Sequence, residues 1–452
     1  MSKGDKLRIA IIGAGIGGLT LSAAIGSLKA QRDDLEIEVD IYESSSRLAE
    51  VGAGINFWRR SWDIMESIGL DQKLLSYLPR ADEGITRQYF HFRKGDQREG
   101  VFIADGQMEG GSYRFHRADV QQALLSGQTG RIHLSHRLVS YEEKEEEIYL
   151  HFEGGTTATC DVLVGMDGIK SVVRKCFLTN RGMSHSPAME PVWAGDVAYR
   201  SLIPIEKLQA AFPGHRALTR PILYIGKYKH LVSYPVSQDK LVNFVALTAE
   251  PFGDPVAYDG PTATPCTSEE VRSVFKLWEP ETQALFQCME KPIKWIIRCQ
   301  VPLDHYALGR VALGGDAAHA MTPYQAAGAG QAVEDAYILA ILLCDKACTK
   351  RSLTEIMSIY DTIRRPMGNS VIEKSRMTGR LSQLSAPGLD DIVEGDDSVP
   401  LERLRGIVED HVKSFEWVWK EPIKNDKERA LSMLRDLAKV RNCFSGIPPI
   451  TH

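Results

Sequence analysis

Apolar residues recur along this chain in two rhythms, and the change of rhythm maps its organisation. Near the N-terminus Ile9, Ile11 and Ile12 form a short run that is apolar on both faces, as in the buried strand of a parallel sheet. The segment LEIEVDIYE then alternates Ile37, Val39 and Ile41 with polar residues, predicting a second strand that ends at Glu43. Two more apolar runs, Val162 to Val164 and Val311 to Leu313, predict further strands of the same kind. Helical spacing predicts an amphipathic helix fed by a turn at Gly52 to Gly54, helix within RFHRADVQQALL (114 to 125) and a helix from near Gly330 to Cys348. The remainder, 352 to 443, reads as largely helical. Residues 83 to 107 read as short polar strands. From about 186 to 297, short alternating strands such as HLVSYPV and LVNFVAL are set off by Pro and Gly, which predicts a mostly antiparallel sheet.

The turns between these elements carry the first chemistry. Gly13, Gly15 and Gly18 stand in the G-x-G-x-x-G spacing between the first strand and the next helix. The first glycine permits the tight turn, the second lets backbone N–H groups approach a pyrophosphate, and the third lets helix pack close on strand. Glu43, 25 residues past Gly18, suits a ribose diol and repels a 2′-phosphate, so the bound adenosine is expected to be that of FAD or NAD rather than NADP. A second glycine-rich approach to a helix lies far away, in GRVALGGDAAHAMTPYQAAGAGQAVEDA (309 to 336), and reads as the other half of a split cofactor site.

Composition narrows the class. A chain of 452 residues with 43% hydrophobic content has room for two or three packed units. The net charge of −5 gives no reason to expect nucleic acid or an anionic membrane as partner. No segment approaches 18 uninterrupted apolar residues, so a cytoplasmic protein is expected. Of the eight cysteines only Cys344 and Cys348 are close, with no histidines at ligand spacing, and reduced thiols with no metal are expected. The acidic run 142 to 147 reads as a solvated strand end or turn.

GAGIGG with Glu43, HRADVQQAL, DVLVGMDGIKSVVR and the late glycine-rich segment together resemble the successive signatures of the FAD-dependent aromatic hydroxylases, the single-component flavoprotein monooxygenases. AYRSLIP, KHLVSYPV and FEWVWKEP point within that family to the branch of salicylate hydroxylase and its fungal relatives. The resemblance implies an α/β fold: a discontinuous Rossmann-type FAD-binding domain (1–82, 108–185 and 298–375), an interleaved, mostly antiparallel substrate domain (83–107 and 186–297) and a helical C-terminal region (376–452). It also implies NADH or NADPH as electron donor and O2 with a small aromatic substrate, acted on by a monomer or homodimer. The expected reaction is hydroxylation of a phenolic or hydroxybenzoate-type ring through a flavin C4a-hydroperoxide, with or without oxidative decarboxylation.

The resemblance assigns roles by position. Asp316 would hold ribityl or ribose hydroxyls, and the N–H groups of Gly328, Ala329 and Gly330 would face the pyrophosphate or the flavin O2 region. Asp167 with Gly168 would touch both FAD and the nicotinamide donor, Arg117 would hold cofactor near the flavin, and the backbone at Gly52 to Gly54 would lie against the isoalloxazine. Leu138 is a candidate for the adenine end. For the substrate, Arg200 matches a phenolate-binding arginine, Tyr234 a substrate-contacting tyrosine, and His230 is a third catalytic candidate. A phenol of pKa near ~10 must shift by about 3 units, worth roughly 4 kcal/mol, to ionise at neutral pH, so a close cation or base is needed.

Tyr324 departs from the family, since salicylate hydroxylases usually carry His after the Pro of this motif. Tyrosine donates a hydrogen bond but is a poor base at neutral pH, so salicylate itself becomes doubtful. Two other classes stay open: a flavin-dependent halogenase or oxidase, and a non-catalytic FAD- or NAD-binding protein. The halogenase needs a W-x-W-x-I segment after the first FAD unit, whereas Trp417-Val-Trp419 comes far too late.

Overall fold

The computed structural model describes residues 6–32, 34–48, 54–78, 86–236, 240–251 and 256–445. Its first sheet has six strands in the order Ala307–Leu308, Val311–Leu313, Val162–Gly165, Leu7–Ile12, Ile37–Tyr42 and Arg131–His133. All neighbours run parallel except the first pair, a short hairpin. Strands that start at residues 7 and 311 are thus separated only by Val162–Gly165, which brings segments from opposite parts of the sequence to the same end of one sheet. Helix Ile16–Lys29 packs on this sheet beside helix Gly328–Leu343, both almost wholly buried along their length.

The second sheet has nine strands in the order Ala263–Pro265, Ile293–Cys299, Val192–Pro204, Leu241–Ala249, Lys229–Val236, Ile222–Gly226, Thr86–Lys94, Val101–His116 and Gly54–Trp58. It is antiparallel except where Ile222–Gly226 meets Thr86–Lys94. The short polar strands read in 83 to 107 are here two long strands, the second of which runs to His116, so the helix expected within 114 to 125 begins at Arg117. Gly54–Trp58 supplies an edge strand to the same sheet. The acidic run forms the end of Leu138–Glu143 and its turn into Ile148–Phe152.

Strand alternation divides the large sheet into two faces. Tyr199, Ile203, Leu231, Val242, Phe244 and Ala246 point to a core covered by helices Ser268–Val274 and Pro280–Cys288. The opposite face sends Leu223 and Ile225 into a core shared with Ala327, Val371 and Leu384. The large sheet therefore closes over the late glycine-rich segment and the 30-residue helix Leu353–Ser382. That helix runs without interruption past residue 376, where the C-terminal region was expected to begin.

Among the described residues no helix is long and apolar enough to cross a membrane, and no cluster of His, Cys, Asp or Glu is arranged to hold a metal.

Candidate active site

The glycine spacing works through sterics. Gly13 has φ of +105°, and a Cβ there would collide with the Met166 carbonyl oxygen; a Cβ at Gly18 would collide with the carbonyl oxygen of Gly13. Gly15 is different, because a Cβ there would meet nothing within 4 Å. Gly13 and Gly18 are therefore required by the protein itself, while Gly15 opens onto space at the start of a helix whose first N–H groups receive no side-chain cap. That is the arrangement a pyrophosphate needs.

Three segments converge there. Met166, directly before Asp167, has its sulfur 2.9 Å from a Cβ built on Gly17 and 2.9 Å from one built on Gly314. Asp316 is exposed at the end of Val311–Leu313, its Oδ1 3.9 Å from a Cβ built on Gly328, where the next helix starts two residues earlier than the pattern predicted. Gly328 and Ala329 are half-buried, and their helix also begins without a side-chain cap.

Glu43 accepts the N–H of Ala14 at 2.9 Å and that of Ser45 at 2.8 Å. Burial pushes its carboxyl up, but these hydrogen bonds outweigh it and hold the group below the usual carboxylate range. Leu138 is buried opposite Phe152, whose ring lies 4.6 Å from that of Tyr42. It therefore backs the strand tip that carries Glu43. Gly54 pairs with His116 across the antiparallel strands, which sets it beside the half-buried Arg117 at the head of its helix; Gly52 lies outside the described residues.

Asp167 is committed locally. Its carboxylate accepts from Ser171 Oγ at 2.5 Å and from the N–H groups of Val172 at 2.7 Å and Val173 at 3.1 Å. It thus caps helix Val172–Thr179, and burial raises its pKa despite those bonds.

On the large sheet, Arg200 stands opposite Val245 and Tyr234 opposite Asn243. Val245 and Asn243 share a face of their strand, so Arg200 and Tyr234 flank it on the side away from the outer core. Arg200 is exposed and Tyr234 half-buried. Burial raises the Tyr234 phenol, and the charges of Arg200 and Arg114 offset part of that rise. Both arginines therefore favour negative charge at this spot.

His230 differs from the role read for it. It is 2% exposed, and burial holds its pKa down to about 3, so it stays neutral and cannot serve as an imidazolium acid. Its ring meets Tyr324 edge-on, with centroids 5.3 Å apart. Tyr324 in turn does not offer a free hydroxyl. Gln383 Nε2 donates to its Oη at 3.3 Å and to Asp196 Oδ1 at 3.1 Å, so the hydroxyl and the carboxylate meet at one amide nitrogen, where the charge of Asp196 helps to raise the Tyr324 phenol.

Asp196, Gln383 and Arg114 were not singled out from the sequence. Asp196 had a signal: it lies four residues before Arg200 in one strand, so alternation places both on one face. Gln383 had none, since it reaches the site from the end of a helix 187 residues away.

The sequence profile of the FAD binding domain family matches residues 273–375. A salicylate hydroxylase of Pseudomonas putida is 32% identical over 438 residues, covering 95% of this chain and 95% of that protein. A 6-methylsalicylate 1-monooxygenase of Aspergillus terreus is 30% identical over 451 residues, covering 97% and 95%. Among solved structures, a substrate complex of salicylate hydroxylase superposes with a TM-score of 0.80 at 28% identity, covering 94% of this chain and 98% of that one.

Proposed function

The chain belongs to the FAD-dependent aromatic monooxygenases related to salicylate hydroxylase, and from that premise we propose that it uses NADH or NADPH and O2 to hydroxylate a phenolic or hydroxybenzoate ring. The observation that carries the substrate class is the pairing of Arg200 and Tyr234 on one face of the large sheet, with Arg114 adding a second positive charge near the phenol.

The residues fit FAD. The open space at Gly15 and the uncapped helix starts at 16 and 328 suit its phosphates, Glu43 and Leu138 its adenosine end, and Asp316 its sugar hydroxyls. Gly54 with Arg117 would border the ring, and Asp167 holds the loop before its helix in place for the nicotinamide donor. When bound, FAD supplies the reductive activation of O2 and the electrophilic oxygen.

The protein's own contribution is to ionise and orient the ring. Arg200 and Arg114 lower the cost of a phenolate, and an ionised ring is the better nucleophile. Helix Leu353–Ser382 and the late segment cover the part of this face around Leu223 and Ile225, which limits the access of water there. Loss of a carboxyl group, as CO2, follows if the ring carbon that takes the oxygen is the one that bears the carboxylate.

The test is phenol-stimulated oxidation of NADH and NADPH over a panel of hydroxybenzoates, methylsalicylates and alkylresorcinols, with product masses. A yellow protein whose nicotinamide oxidation no phenol stimulates would overturn the reading.

A further inference from the structure

Resting on that phenol-hydroxylase reading, we propose that Tyr324 and Asp196 form a two-residue relay that takes the proton of the substrate hydroxyl and passes it out to solvent. The position where relatives hold a histidine base would then be served by a tyrosine with a carboxylate behind it.

Hydrogen-bond capacity carries the first step. A tyrosine hydroxyl has one proton and two acceptor sites. The amide of Gln383 donates to both Tyr324 Oη and Asp196 Oδ1, so the two oxygens are held at one nitrogen, the one proton left between them is Tyr324's own, and the carboxylate is the acceptor beside it. One acceptor site on Oη stays open for a substrate hydroxyl. Transfer then balances without any co-reactant: the substrate O–H breaks, a new O–H forms on Tyr324, and its former proton moves to Asp196. Tyrosine never has to exist as the anion, which matters because burial and the charge of Asp196 hold its phenol well above the ordinary value.

The exit is also built. Asp196 and Tyr324 line one cavity of 190 Å³ with Trp193, Glu250, Arg376 and Gln383. Burial pushes the Asp196 carboxyl up to about 6, against the opposing pull of Gln383, Tyr324, Arg376 and Arg380. It is thus ionised at neutral pH yet close enough to its midpoint to accept a proton. The charged and titratable groups around it are Tyr324, Arg376 and Arg380 on the long helix, Cys299 on the neighbouring strand and Glu250 across the cavity.

The relay is held rigidly. A Cβ at Gly379 would run into the Tyr324 ring, which lies flat on the bare helix there, and His230 meets the ring edge-on. A neutral, buried His230 suits this work as a wedge.

The experiment uses FAD-loaded enzyme and a nitrophenol or nitrosalicylate, whose visible absorbance reads its ionisation while bound. Tyr324→Phe is expected to move the ionisation midpoint of the bound ligand upward by about one unit or more, and Tyr324→Phe and Asp196→Asn are each expected to slow hydroxylation about 100-fold near neutral pH, with FAD retained. Asp196→Asn removes a negative charge and is expected to leave that midpoint in place or lower it. Tyr324→His placed in the Asp196→Asn background is expected to restore the rate, because imidazole is a base in its own right. Tyr324→Phe titrating as the wild type overturns the relay, and so does Asp196→Asn hydroxylating at the wild-type rate. If Asp196→Asn fails to hold FAD, Tyr324→Phe decides alone. Wild-type protein that ionises the ligand but hydroxylates no phenol would sink the hydroxylase reading and leave the relay standing.

Discussion

Asp335 reaches back from the late helix to accept the backbone N–H of Gly315 at 2.8 Å, one residue before Asp316. The same carboxylate lies 2.5 Å from His319 Nε2 and takes Arg364 Nε at 2.8 Å, all of them fully buried. Arg364 also binds Glu334, which is shared with the buried Arg60. This network ties the glycine turn to helices whose sequences lie 300 residues apart. Removing one partner leaves an uncompensated charge, so Asp335→Ala should cost about 3–5 kcal/mol, measured by denaturant unfolding of the FAD-free protein. The Asp335 carboxyl sits at about 2 in the fold, despite burial, because His319 and Arg364 favour its anion. Its stabilisation is therefore complete above the ordinary carboxylate range and is lost as pH falls through that range toward 2. The variant should lack that acid limb; an unchanged limb would refute the assignment.

The three glycines of the first turn should separate by experiment. Gly18→Ala collides with the Gly13 carbonyl and should lower the melting temperature of the FAD-free protein. Gly15→Ala meets nothing in the protein, so it should leave that temperature within about 1 °C while weakening FAD binding tenfold or more, roughly 1.4 kcal/mol. Equal effects of the two on the FAD-free protein would contradict the steric account.

Glu43→Gln keeps the shape but loses the charge and half of the acceptor capacity that now serve Ala14 and Ser45. A loss of about 1–2 kcal/mol in FAD affinity is expected, read as a five- to thirty-fold rise in Kd by flavin fluorescence. Because its carboxyl is held low, wild-type FAD affinity should fall as pH drops through the carboxylate range, and the variant should not show that fall.

What the sequence disclosed and what it hid divide along a physical line. Glycine spacing, the acid at a strand tip and the alternation around Arg200 are local signals, and local sterics enforce them. Hence the parallel sheet and its glycine-rich turns were readable, as was the antiparallel character of 186 to 297. The lengths of the strands in 83 to 116 were not, because their polar residues look like loop until a nine-stranded sheet supplies partners. Tyr324 was noticed as a departure, but its partners Asp196 and Gln383 arrive from a strand and a helix end that only tertiary packing brings together.

Arg200 and Tyr234 should act on the substrate and not on the cofactor. Arg200→Lys keeps the charge but loses the planar fork, and Arg200→Ala loses both. Turnover is expected to fall about tenfold in the first and at least about 100-fold in the second, with FAD absorbance per protein unchanged. Tyr234→Phe should raise KM more than it lowers kcat, since it removes a contact made in ground and transition states alike. Unchanged turnover in Arg200→Ala would remove this residue from the site.

Gly379 offers a test of the Tyr324 geometry that needs no substrate. Alanine normally stabilises a helix interior relative to glycine by about 1 kcal/mol, and residue 379 is helical in the last turn of Leu353–Ser382, where part of that gain applies. Here the added methyl would overlap the Tyr324 ring, which His230 meets edge-on and Gln383 holds at its hydroxyl. Overpacking of this kind costs about 1–3 kcal/mol, so the clash should outweigh the propensity gain and Gly379→Ala should destabilise. In a Tyr324→Ala background the ring is gone, and the same substitution should stabilise by about 0.5–1 kcal/mol. The sign reversal is the prediction, and a double-mutant cycle by thermal unfolding reads it directly. If Gly379→Ala stabilises both backgrounds alike, the ring does not lie on the helix, and the hydroxyl is not held against Asp196.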